Sequence, residues 1–355
     1  MPQKLSSFIG SSKIATSTIT LNLNNYGTID TNETHTAAVN NAAIFRKAYE
    51  DYLNYKFSYN DTVNCYIDCP PGDYYFGDNP SGKSNLYPIT LDPPQGSTIS
   101  IRSTVGLNWA NRPSTSSLNS ASTPEARYTL MKNYYQTRFH FAKNGIVGKM
   151  SGTVGGTVGK ANIQNIGIFG RYNGSPGTFN KDINFWGKGM SGGLSVNKCG
   201  VQGFGAINGT YEADIKGTTA SNSWGVAAEN GDGFYIENIQ IVDCMRAMLT
   251  QFNGTIFSFG DIDLIHNKDH GATAAFGGSI MLGGEGRVYI SNFETYGAHA
   301  YAGGVINFGN AKNTHQVLGG LKSIRVAEKG LITGQNGKVS YSNSQVLTDG
   351  LINFY

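Results

Sequence analysis

A four-residue phrase returns through the last two-thirds of this chain: a polar residue, Ile or a substitute, a variable residue, and usually a second apolar residue. It reads Asn165-Ile166-Gly167-Ile168, Asp182-Ile183-Asn184-Phe185, Lys198-Cys199-Gly200-Val201, Asn238-Ile239-Gln240-Ile241, Asp261-Ile262-Asp263-Leu264 and Ser323-Ile324-Arg325-Val326. Asp214-Ile215-Lys216-Gly217 and Asn292-Phe293-Glu294-Thr295 are weaker copies. Alternation over four residues describes a strand with one buried face, and its return every roughly 16 to 31 residues describes one such strand per repeating unit. A unit of that size cannot bury its apolar face alone. Neighbouring units must stack, so the expected fold is an all-β solenoid, a single-stranded right-handed parallel β-helix. Ile166, Ile183, Cys199, Ile239, Ile262, Phe293 and Ile324 are expected to line its interior.

The rest of the composition agrees with that reading. The 47 glycines, with sparse charge and abundant Asn, Ser and Thr, favour tight turns and β ladders over helix. The formal net charge is only +3, and no run of Lys or Arg exceeds two, so neither a phosphate-tracking stripe nor an acidic tail is present. Nucleic acid is not an expected partner. No stretch is apolar enough for membrane insertion, and Met1 to Gly10 lacks the apolar core of a signal peptide. The four cysteines are read as reduced core residues.

The chain divides into a polar arm, residues 1–25, and a solenoid body, residues 26–355. A helix is expected near 36–53, with His35-Thr36 as its N-cap and Ala38, Ala42, Phe45, Tyr49 and Tyr52 along one face. Cys65-Tyr66-Ile67-Asp68-Cys69 reads as a strand ended by Pro70-Pro71-Gly72. Residues 79–127 read as strands separated by long excursions, with 114–124 the segment with the weakest core of its own.

Tyr26-Gly27-Thr28-Ile29-Asp30, the helix opening at Thr36-Ala37-Ala38, and Pro70-Pro71-Gly72-Asp73-Tyr74 together resemble the N-terminal signature of the pectate-lyase-like right-handed β-helix superfamily. Adjacent aspartates usual before the helix in that family are replaced by Thr31-Asn32-Glu33-Thr34. The resemblance implies that the helix caps the N-terminal end of the solenoid, burying Phe45 and Tyr49. The superfamily includes pectin-degrading enzymes and bacteriophage tailspikes, trimers that bind and often cleave host surface polysaccharide. Lack of a secretion signal points to the phage branch, a virion tail protein made in the host cytoplasm. The implied partners are host surface polysaccharide, other virion tail proteins and two further copies in a homotrimer. In that arrangement the arm contacts a partner instead of the chain's own core.

Chemistry on such a body comes from outward-pointing side chains stacked about 4.8 Å apart. The residue after each Ile gives the ladder Gly167, Asn184, Gly200, Lys216, Gln240, Asp263, Glu294 and Arg325. Asp263 and Glu294 would then be neighbours at roughly 5 Å, the separation of the carboxylate pair in a retaining glycosidase, with Arg325 favouring their ionised forms. These three are the candidate catalytic residues; a solvated, mutually compensating charge row is the competing interpretation. Trp224, Glu229, Asp232, Tyr235 and Glu237, with Gln240 on the ladder, are the candidate glycan-binding residues, because aromatic rings stack on the apolar faces of sugars beside polar anchors. A turn with Trp224 in the core competes with it. His266 and His270, around Asp269, lack a convincing third ligand, and Gly187-x-Gly189-x-x-Gly192 lacks the helix of a dinucleotide site, so no metal or cofactor is expected. Three functions remain open: a glycan-binding virion spike, a tailspike depolymerase, and a structural virion adaptor or decoration protein.

Overall fold

The computed structural model describes residues 16–59, 62–77, 87–94, 96–141, 144–148, 159–170, 188–204, 206–207, 210–211, 223–309, 314–347 and 349–355. Each turn of the chain lays one short strand in each of three parallel sheets. Sheet A holds eleven strands, from Thr16–Asn22 to Leu351–Phe354. Sheet B holds nine, from Gly72–Phe76 to Val339–Tyr341, and sheet C nine, from Ile89–Leu91 to Ser344–Val346. A parallel β-helix results. Its interior is one continuous apolar column with Ile67, Ile101, Ile163, Val196, Ile236, Ile256, Ile280, Ile306 and Ile332 along sheet A alone.

The recurring phrase marks sheet B for four successive turns. Cys199, Ile239 and Ile262 pair directly, and Ile166 sits one residue before Gly167, the partner of Gly200. The expected register then slips. Ile262 pairs with Val288, not Phe293, and Ile324 belongs to sheet C, opposite Ala298. Phe293 and Ile324 are still buried, Phe293 at the corner after the sheet B strand. Ile183, Asn184 and Lys216 lie outside the described residues.

Sharp corners between sheets demand left-handed backbone. At the corner from sheet B to sheet C, Asp243, His266 and Asn292 adopt φ of 51°, 54° and 53°, residue types that tolerate this region well. The corner from sheet C to sheet A is less accommodating: Asn230 is followed by Phe252, Phe276, Ala302 and Glu328 at φ between 46° and 56°.

Helix α1 (His35–Tyr59) caps the N-terminal end, packing on the first strands of sheets B and C. Its N-cap is Thr34, whose Oγ1 accepts the Ala37 N–H at 3.1 Å, one residue earlier than the sequence suggested. Ala38, Ala42, Phe45 and Tyr52 are buried, with Phe45 edge-on to Phe76 at 6.3 Å. Tyr49 is only half-buried because its hydroxyl reaches out to accept the Asp92 N–H at 2.7 Å. Gly27 allows the chain to press against the helix: a Cβ there would lie 2.8 Å from the Ile44 side chain. Part of the arm does not behave as expected. Thr16–Asn22 pairs along its length with Thr62–Cys69, and Ile19 and Leu21 pack on the chain's own core, so this stretch belongs to the body.

The long excursion between the sheet A strand Thr98–Ser103 and the sheet B strand Thr137–Phe141 folds over the outer face of sheet B. It carries α2 (Thr115–Ser120) and α3 (Pro124–Tyr134), capped by Ser114 and Thr123. Leu107, Leu118, Tyr128, Met131 and Tyr135 form a second small core there with Phe169, Val242 and Ile265 of sheet B. The segment 114–124 is thus ordered by the solenoid it covers. All four cysteines are free and buried, and burial pushes the Cys199 and Cys244 thiols up to about 12.

Candidate functional site

The expected catalytic ladder is dismantled by the register. Gly167, Gly200, Gln240 and Asp263 do stack in sheet B, but the next rungs are Tyr289 and Gln316. Glu294 is exposed in the turn preceding the sheet C strand Tyr296–Tyr301. Arg325 lies in sheet C, opposite His299. The three residues therefore share no row, and the 5 Å carboxylate pair required of a retaining glycosidase is not formed by them.

Asp263 is also sealed from solvent. Its Oδ2 accepts from Arg112 Nε at 3.0 Å and Gln240 Nε2 at 3.1 Å, and its Oδ1 from Arg287 Nη2 at 3.0 Å. Arg112 reaches Asp261 as well, and Gln240 Nε2 donates to the Pro113 carbonyl at 2.8 Å. Arg127 of α3 is paired in the same way with buried Asp243, which Gln202 also contacts. Near the cap, Asp73 holds Arg138 and His140; burial would raise its carboxyl, but their hydrogen bonds outweigh that and hold it well below the usual carboxylate range. Asp261, Asp263 and Asp243 thus anchor the covering excursion through Arg112 and Arg127.

The candidate glycan-binding residues separate onto different faces. Trp224 is buried on the outer side of sheet C against Ala227 and Leu249, with the Arg246 guanidinium 4.9 Å from its ring centre. Glu229, at the end of the same strand, accepts from Lys188 and Gln251. Asp232 sits in the next turn, where burial raises its carboxyl and lowers the nearby Lys188 ammonium to about 8. Gln240 is buried under the excursion. Tyr235, on sheet A, and Glu237, in the bend just after its strand, stay together and exposed.

Those two residues stand in a groove of about 850 Å³ along the outer face of sheet A. The register explains it. The central outward row reads Ser100, Asn162, Ser195, Tyr235, Phe257, Met281, so small polar side chains give way abruptly to rings. Glycines 159, 193 and 233 and Ala161 keep the floor low. Tyr235 is 41% exposed and stacks on Phe257, the centroids 5.5 Å apart and the planes within 16°. Phe259, 52% exposed, extends the wall. Lys160 and Glu237 supply opposite charges, and Asn162 donates to Ser100 Oγ at 3.1 Å. Among the described lining residues Glu237 is the one carboxylate.

Sequence reasoning missed Phe257, Phe259, Asn162, Ser195 and Lys160. The sheet A rows were readable in principle, since Phe234-Tyr235-Ile236 and Ile256-Phe257-Ser258 alternate as clearly as the sheet B phrase. No protein-family model, curated protein or solved structure matches this chain.

Proposed function

We propose that this chain is a carbohydrate-binding solenoid of the virion-spike kind, holding host surface polysaccharide in the sheet A groove. The single observation that carries the reading is the stacked, outward-facing Tyr235–Phe257 pair at the head of a low polar floor. A ring exposed in this way presents its face or edge to the C–H side of a sugar, and Asn162, Ser195, Lys160 and Glu237 are placed to meet its hydroxyls. An extended chain along the axis meets one rung about every 4.8 Å. Assignment to a bacteriophage tail, made in the host cytoplasm and working as a homotrimer beside other tail proteins, extends this proposal through the superfamily that the N-terminal motifs resemble, which includes tailspikes. The exposed apolar residues Val346, Leu347, Leu351 and Tyr355 are surface that a neighbouring copy could cover. Binding is favoured over two-carboxylate hydrolysis because Glu237 has no second carboxylate beside it among the described lining residues.

The test is retention of the protein on arrayed capsular and lipopolysaccharide glycans, with the bound glycan then assayed for new reducing ends or unsaturated sugars. Retention by the wild type, its loss in Tyr235→Ala, and unchanged glycan are expected. New ends would establish the depolymerase reading, and no retention on any glycan would favour a structural adaptor.

A further inference from the structure

The outer face of sheet C carries a second row that the groove does not use. In register, one residue per turn, it reads Lys188, Trp224, Arg246, His270, Tyr296, Lys322, alternating cations with rings for much of its length. The neighbouring row brings Thr273, His299 and Arg325 together. Rings connect them: His270 stacks on Tyr296 at 5.2 Å, Tyr296 meets His299 at 4.7 Å, and His299 stacks on Tyr301 at 4.7 Å. The band continues to the corner through Phe276 and Phe252, stacked at 5.3 Å and about half exposed. Both Phe residues hold the left-handed backbone that costs a side-chain-bearing residue roughly 1–2 kcal/mol, so stability does not explain their placement.

Two donors in this band lack an acceptor. Arg325 Nη1 lies 2.8 Å from His299 Nε2. A guanidinium only donates, so Nε2 is the acceptor and the proton of the neutral imidazole sits on Nδ1. That Nδ1 is buried without a partner, and so is Arg325 Nε. His299 itself is 5% exposed. Leaving such groups unpaired is costly, and an anionic oxygen at the guanidinium would satisfy Arg325 Nε. Arg246 is neutralised by Asp269 at 2.5 Å, whereas Arg325 has no ion-pair partner among the described residues.

We propose that this face is a second ligand site, which takes the carboxylate of an acidic sugar at Arg325 with Tyr301 against the sugar ring. It rests on the glycan reading and adds a charge preference to it. Tyr296, partly exposed, lies on the Arg325 guanidinium, 4.6 Å from the ring centre, so rotation of its side chain would open Arg325 to a ligand. The carboxylate replaces no protein group; it supplies the missing acceptor.

Sodium glucuronate and glucose are titrated into the full chain by saturation-transfer NMR, using wild type, Arg325→Gln, Tyr301→Ala and the groove variant Tyr235→Ala. Glucuronate is expected to bind better than glucose, to weaken as NaCl is raised, and to lose on the order of tenfold in affinity in Arg325→Gln, the loss of one charge-assisted contact. Tyr301→Ala should weaken it as well, and this surface change keeps the test open if Arg325→Gln fails to fold. Glucuronate binding that survives Tyr235→Ala locates the site on sheet C. Binding lost in Tyr235→Ala and kept in Arg325→Gln would overturn the proposal while leaving the groove reading intact. No glucuronate binding by the wild type up to on the order of 10 mM, or preferential binding of an oligo-dT strand, would also overturn it.

Discussion

Sheets A and B are built from the same turns of chain, yet their outer faces have opposite fates. On sheet B the polar rungs Gln202, Gln240, Asp243 and Asp263 are buried under the excursion bearing α2 and α3, and each acid meets an arginine from it. On sheet A the rungs Asn162, Ser195 and Tyr235 remain accessible, and between them lies empty volume. A buried carboxylate with all its lone pairs engaged holds structure together, while a bare ring beside small polar residues has contacts left to make. An ionisable residue on a solenoid rung is therefore informative about function only once its covering is known.

The largest effect expected from breaking this contrast is at the most buried pair. Arg127→Ala should destabilise the protein by about 3–5 kcal/mol, since it leaves Asp243, whose carboxyl burial already raises, enclosed without its counter-charge, and urea unfolding would measure it. Asp263→Asn should cost somewhat less, on the order of 3 kcal/mol, because Asn keeps the shape and Arg112 keeps Asp261, while Arg287 loses its counter-charge. A loss within about 0.5 kcal/mol for either variant, the range of ordinary surface changes, would mean that the covering is not held by these pairs.

Acid should act on sheet C by a different route. Burial holds the His270 imidazole neutral down to about 4 and the His299 imidazole down to about 3. Both folded values lie below the unfolded one near 6.5, so the stability they contribute is complete above about pH 6.5 and is lost as pH falls towards 4 and 3. Melting temperature followed from pH 7 to pH 4 should decline, and His299→Gln should flatten the decline. A profile identical in the variant would refute the assignment.

How much of this was legible in the sequence depended on the range of the contacts involved. The Ile phrase and the N-terminal motifs were enough for the solenoid and its capping helix, because both are local patterns with a fixed period. The same phrase misled at Asn292-Phe293-Glu294, where a Phe at a corner mimics a strand, while the true rung, Arg287-Val288-Tyr289-Ile290, carries Val in place of Ile. The covering of sheet B was not legible at all. Arg112 and Asp263 meet across 151 residues, and periodicity says nothing about where an irregular excursion will lie. Tyr235 and Glu237 were singled out through composition, as an aromatic beside a carboxylate, and the same criterion took in Trp224, whose ring the fold covers with Arg246 and Leu249.

The smallest change in stability should accompany the largest change in binding. Tyr235→Ala removes an exposed ring and should shift unfolding by no more than about 1 kcal/mol, including its stacking on Phe257. The most direct test compares wild type, Tyr235→Ala and Asp263→Asn for retention on the same arrayed surface polysaccharides, at a temperature where all three are folded. Tyr235→Ala is expected to lose on the order of tenfold in affinity, about 1.4 kcal/mol and within reach of one aromatic contact, while Asp263→Asn binds as the wild type does. Binding that fails in Asp263→Asn and persists in Tyr235→Ala would contradict that expectation.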